Sequence, residues 1–109
     1  MNPPNMDELF AKAREAQTKL EALQRDLALR RVEGSAGGGM VTVVASGAMR
    51  VLEIRMEPSL IGSADREMIQ DLTAAAVNAA LANAQRMIQE EMQRASSGLA
   101  AQLPNGDAG

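Results

Sequence analysis

Six cations fall within residues 12–31 of this sequence: Lys12, Arg14, Lys19, Arg25, Arg30 and Arg31. Ammonium and guanidinium groups in such a series suit contact with phosphate oxygens, which hold a nucleic acid in place without reading its bases. Other chemistry is poorly supplied. The chain has no histidine and no cysteine, so a Ser-His-Asp triad, a thiolate nucleophile and an ordinary zinc site are excluded. Glu90 and Glu91 are adjacent carboxylates, but neighbours on a helix point to different faces, and no metal or other cofactor is expected. Gly37, Gly38 and Gly39 resemble a phosphate-cradling loop only in composition. A P-loop continues into Lys-Ser/Thr and a helix, whereas here Met40, Val41 and a strand pattern follow, so the glycines read as a flexible turn.

The cations must be weighed against their neighbours. Net charge is −3, and Asp7, Glu8, Glu15, Glu21 and Asp26 interleave with the basic residues, as on an ordinary solvated helix face. Residues 6–31 nevertheless carry six basic against five acidic side chains, the only net-positive stretch of the chain. Arg50 and Arg55 are weaker candidates. Arg50 shares the phase of Leu52, where an acid partner would occupy it, and Arg55 lies on a polar strand face. A single aromatic, Phe10, leaves no stacking platform for unpaired bases.

The element carrying the cations reads as a helix from about Met6 to Leu29. Asn5 is its N-cap, and Asp7 and Glu8 suit the first turn. Met6, Leu9, Ala13, Ala16, Leu20, Leu23 and Leu27 alternate steps of three and four, the seam of a helix that faces another helix. At 1.5 Å per residue it is about 36 Å long, more than the roughly 17–20 Å of an ordinary strand. Part of the seam therefore overhangs any sheet.

Residues 31–57 read as sheet. A first strand near Arg30–Ala36 is weakened by Gly34, and the valine-rich run from Val41 is followed by a turn at Ser46-Gly47-Ala48. In Val51–Glu57, Leu52, Ile54 and Met56 share a dry face and Glu53, Arg55 and Glu57 a wet one. Pro58 ends the hairpin, and Ser59–Gly62 reads as a loop. Ser63 is the expected cap of a second helix over about 64–97, with Met68, Ile69, Leu72 and Ala76 buried and Gly98 as its C′ residue. Its alanine-rich middle invites packing on more than one flank. A second stripe, Val77, Leu81, Ala84, Ile88, Met92 and Ala95, runs on past the sheet. The methionines read as fillers of irregular core gaps.

The architecture is α+β, α-β-β-β-α, with a three-stranded antiparallel sheet and two overlong helices. Residues 1–5 form a flexible leader, 6–98 a single domain and 99–109 a flexible tail. A monomer would expose two apolar stripes, so a homodimer is expected. The leader lacks the basic and apolar regions of a signal peptide, and no apolar run is long enough for a membrane span. A soluble intracellular protein follows.

Gly34-Ser35-Ala36-Gly37-Gly38-Gly39-Met40-Val41-Thr42-Val43, Gly47, Glu57-Pro58-Ser59-Leu60, residues 71–80 (DLTAAAVNAA) and Ser96-Ser97-Gly98-Leu99, in this order and spacing, closely resemble the YbaB/EbfC family of bacterial nucleoid-associated proteins. The likeness covers about residues 5–104. It implies a tweezer-like homodimer with helices projecting from a joined sheet core, and binding of double-stranded DNA in the cytoplasm and nucleoid with modest sequence preference. On that reading Lys12, Arg14, Lys19, Arg25, Arg30 and Arg31 are the candidate DNA contacts. The alternative is a dimeric coiled-coil-type adaptor that grips a protein partner between its helices; an enzyme is not expected.

Overall fold

The computed structural model describes residues 5–102, with side chains through residue 98. Most of the expected leader and tail lies outside them. The elements are α1 (Met6–Leu29), β1 (Arg31–Ala36), β2 (Val41–Ser46), β3 (Val51–Met56), a five-residue α2 (Pro58–Gly62) and α3 (Arg66–Gln102). The strands form one antiparallel sheet in the order β1-β2-β3. The outline measures 76 × 28 × 15 Å, with a radius of gyration of 21.6 Å; a compact chain of this length would have about 13 Å.

Among the described residues, the sheet carries helices on one face only. Gly34 pairs with Val43, and Val43 with Ile54; residues opposite one another in a ladder share a face. This row faces α3, because a Cβ on Gly34 would sit 2.6 Å from the Ala80 Cα and overlap the Ala80 nitrogen. The gap left by the missing side chain is filled by helix backbone. Ala76, Ala80 and Ala84, one turn apart on α3, are fully buried with Val41, Val43, Ala45 and Leu60. Small residues on both partners let helix and sheet approach closely, and the amide of Asn83 donates to the Glu33 carbonyl at 2.8 Å. In the sequence reading Gly34 weakens the strand; in the fold it is the residue the strand needs.

α3 lies across β1 and β2 and barely reaches β3. The dry face of β3 is consequently uncovered, with Ile54 45% and Leu52 49% exposed. Leu52 is also the extra residue where the β2–β3 register shifts between Val44 and Ala45. Met68, expected in the core, is likewise exposed, and the middle of α3 is packed on one flank only, with Ala74, Ala75 and Ala82 open to solvent.

Two junctions differ from the sequence reading. Ser59–Gly62 forms most of a short helix, because Pro58 suits a first helical position as well as it ends a strand. Ser63 closes that helix, its hydroxyl donating to the Leu60 carbonyl at 2.6 Å. The cap of α3 therefore passes to Asp65, whose carboxylate accepts from the Met68 N–H at 3.1 Å. At the far end α3 continues through Gly98 to Gln102; among the described residues, Gly98 included, none there is left-handed.

α1 keeps its expected bounds, and the Asn5 side chain accepts from the Asp7 N–H at 3.1 Å. Only Leu27 on it is buried. Its seat is the β2–β3 turn: the Gly47 N–H donates to the Arg30 carbonyl at 3.0 Å. A Cβ on Gly47 would strike the Leu27 carbonyl. Glycine is needed there for space, while the left-handed turn residue is Met49, with φ 61°.

Candidate nucleic-acid interface

Beyond its last turn α1 stands clear of the sheet, and every residue from Asn5 to Ala22 is exposed. The six candidate cations lie along it and at its end, but not on one face. At about 100° per residue, Lys12 and Lys19 fall within about 20° of each other, as do Arg14 and Arg25, with the two rows about 140° apart. The Lys12 row flanks the leucine seam, and the Arg14 row lies on the far side.

Their pairing also differs. Among the described residues, Lys12, Arg14 and Arg25 have no carboxylate within 4 Å, and Lys19 sits 3.7 Å from Glu15 in an exposed pair one turn apart. Such pairs hold their partners weakly. Arg30 is engaged twice, by Asp26 at 2.9 Å and by Glu91 at 3.4 Å. Its hydrogen bond to Asp26 is the largest cause of a guanidinium pKa raised above the ordinary value.

Arg31 belongs to the helix-free face of the sheet. Glu33, Val44 and Glu53 form one row there, with Arg31 3.6 Å from Glu53 and Arg55 3.3 Å from Glu33 and 3.0 Å from Glu53. Beneath this ladder Val44 is buried, on a face that no helix covers. The Arg55 pKa is raised by its hydrogen bond to Glu53 first. Arg31 and Arg55 are thus committed to the sheet's own acids.

Arg50, Arg66 and Arg86 are exposed and, among the described residues, unpaired. Arg66 and Arg86 escape the sequence reading because acids outnumber bases on α3; only the local pairing distinguishes them. Among the described residues there is no group of three or more carboxylates that could hold a metal ion, and no helix is long and apolar enough to cross a membrane.

A lone projecting helix with unpaired cations, seated on a small three-stranded sheet, invites comparison with known proteins. The model of the YbaB/EbfC DNA-binding family matches residues 1–99. The chain belongs to that family. A nucleoid-associated protein of Acetivibrio thermocellus is 42% identical over 95 residues, covering 87% of this chain and 84% of its own. Another, from Syntrophobacter fumaroxidans, is 45% identical over 83 residues and 76% of each chain. The fold is shared with an uncharacterized protein from Helicobacter pylori, at a TM-score of 0.61 and 17% identity over 90% of this chain and 99% of that one. Family membership thus agrees with the resemblance carried by the glycine-rich β1–β2 segment and the alanine row. Gly34 and the alanine row have a structural reason in the close seating of α3 on β1, and Gly37, Gly38 and Gly39 in the positive φ angles of the β1–β2 turn.

Proposed function

We propose that this chain is a nucleoid-associated protein that binds duplex DNA as a homodimer, through phosphate contacts and with low sequence specificity. The observation that carries this reading is α1: a helix free of neighbours over most of its length, with Lys12, Arg14 and Arg25 unpaired among the described residues. Lys19 joins them, since its pair with Glu15 is exposed and readily exchanged for a phosphate. Arg30 and Arg31 are the weaker members of the set, their guanidiniums already being engaged by acids. No catalysis is needed, and residence on DNA places the protein in the cytoplasm at the nucleoid.

The dimer follows from what a single chain leaves uncovered. Leu52, Ile54, Ile61 and Met68 on the core side, and Met6, Leu9 and Leu20 on α1, are all exposed. Contact through the last turn alone does little to hold a 24-residue helix, whose stability in proteins comes mainly from packing of an apolar face. A second copy supplies that packing by two-fold symmetry. The adaptor reading rests on the same exposed seam, which a second copy accounts for without another protein.

The test is fluorescence anisotropy with an arbitrary labelled duplex, on protein shown to be dimeric by sedimentation equilibrium. Affinity should fall steeply between about 50 and 200 mM salt, with log K linear in log salt at about −0.9 per phosphate neutralised. A dimer that leaves the duplex free at about 50 mM salt would overturn DNA binding and promote the adaptor.

A further inference from the structure

We propose that Arg30 is a pin that sets the angle between α1 and α3, and so acts on DNA as a positioning residue rather than as a phosphate contact. Three elements meet at this one residue. Its carbonyl accepts the Gly47 N–H of the β2–β3 turn at 3.0 Å, and its own N–H closes α1 on the Leu27 carbonyl at 3.2 Å. Its side chain bridges the helices. The Nε and Nη2 groups both donate to one Asp26 carboxylate oxygen, at 3.2 and 2.9 Å, which orients the planar guanidinium and leaves Nη1 directed at Glu91, 3.4 Å away on α3. Glu91 is held in turn by Arg94 at 2.9 Å, and its side chain is only 20% exposed. An oriented network of this kind holds geometry better than an isolated surface pair.

The helices need such a tie because they are not packed together beyond it. A cleft of about 250 Å³, lined by Gln24, Leu27, Ala28, Gly47, Ile88 and Met92, separates α1 from α3 beside the pin. Its walls are mostly apolar, and closing it would bury the half-exposed Ala28 against Ile88 and Met92, beside Leu27, which is already buried. Contact between apolar groups favours closure, and the Arg30–Glu91 bridge fixes how far α1 stands open. Small changes at the pin are amplified outward. Sixteen residues separate Leu27 from Ala11, about 24 Å of helix, so each 20° of swing carries the outer end about 8 Å.

The absence of cysteine allows a direct measurement. Spin labels at Ala11→Cys and Gln93→Cys, in chains diluted with excess unlabelled protein, report the interhelix distance by pulsed electron resonance. Arg30→Gln and Glu91→Gln should each shift and broaden that distance, and the double variant should do no more than either single one, because both remove the same bridge. Unchanged distances in both single variants, or additive changes in the double, would overturn the pin. The consequence for DNA rests on the proposed function and has a distinctive sign. Glu91→Gln removes a negative charge, so charge alone predicts tighter binding, whereas a lost pin predicts binding weaker by about threefold with an unchanged salt slope. Tighter binding by Glu91→Gln would overturn the positioning role. If no variant binds DNA while the distances still respond, the DNA reading fails and the pin stands.

Discussion

α3 meets the sheet through residues that have almost no side chain, Ala76, Ala80 and Ala84 against Gly34, whereas α1 reaches it through Leu27 and Arg30 at one end. The first contact is dry, close and continuous over several turns. The second is a single seat, with the rest of the helix in solvent. Both helices carry apolar stripes, and the sharper one is on α1, the helix that is left in solvent, so hydrophobic periodicity does not predict which helix is seated. What does is whether the partner surface lets a backbone come near. Glycine at one position of β1 lets α3 lie flat, and glycine at Gly47 makes room for the end of α1 without giving the remainder anything to lie on.

The largest expected effect lies on the α3 side. Gly34→Val would drive a branched side chain into the backbone at Ala79 and Ala80, and should cost about 3 kcal/mol or more, read by urea denaturation. A near-neutral result would show that α3 is not seated as closely as described. Leu60→Ala, at a fully buried leucine, should cost about 3 kcal/mol. The same change at Leu20, 39% exposed in the chain, should cost about 1 kcal/mol and appear as a higher dimer dissociation constant in sedimentation equilibrium. Equal costs with no change in association would break the contrast between the two helices.

A charge on the uncovered face of β3 sharpens the comparison further. Ile54→Lys should leave the secondary structure intact while moving the dimer toward monomer, with a higher dissociation constant in sedimentation equilibrium and a thermal midpoint that depends less strongly on protein concentration. The smallest structural effect belongs to the far face of α1. Arg14→Gln combined with Arg25→Gln should leave the unfolding midpoint unchanged and flatten the log–log salt dependence of DNA binding by about 0.9 for each phosphate no longer neutralised. An unchanged slope would move the DNA-facing side of the helix to the Lys12 and Lys19 row.

Much of this is legible in the residues. The seam from Met6 to Leu27, the Asn5 cap, the valine run and the alternation of β3 are signals written by neighbours in sequence, and each element they imply is present. Signals that depend on distant neighbours mislead. Gly34 argues against a strand because its use lies at Ala80, 46 positions away. Met68 fits the period of the core but is 45% exposed, while Ile69 and Leu72 beside it pack against the core. Pro58 and Ser63 each serve two kinds of junction, and their sequence neighbours do not distinguish them. The candidate site is legible as a set of cations but not as a set of free ones. Arg30 and Arg31 look the same in sequence as Arg14 and Arg25, and only folding brings Glu91 and Glu53 to their side chains.

The 76 × 28 × 15 Å outline has a consequence for how the protein moves through solvent. A bar of these proportions meets more friction than a sphere of its mass, so it diffuses slowly and tumbles anisotropically. In gel filtration a single chain would travel with globular proteins well above 11.5 kDa, near the place a compact dimer would occupy. Elution volume alone therefore reports shape as much as association, and mass must be read from sedimentation equilibrium or light scattering, where friction drops out.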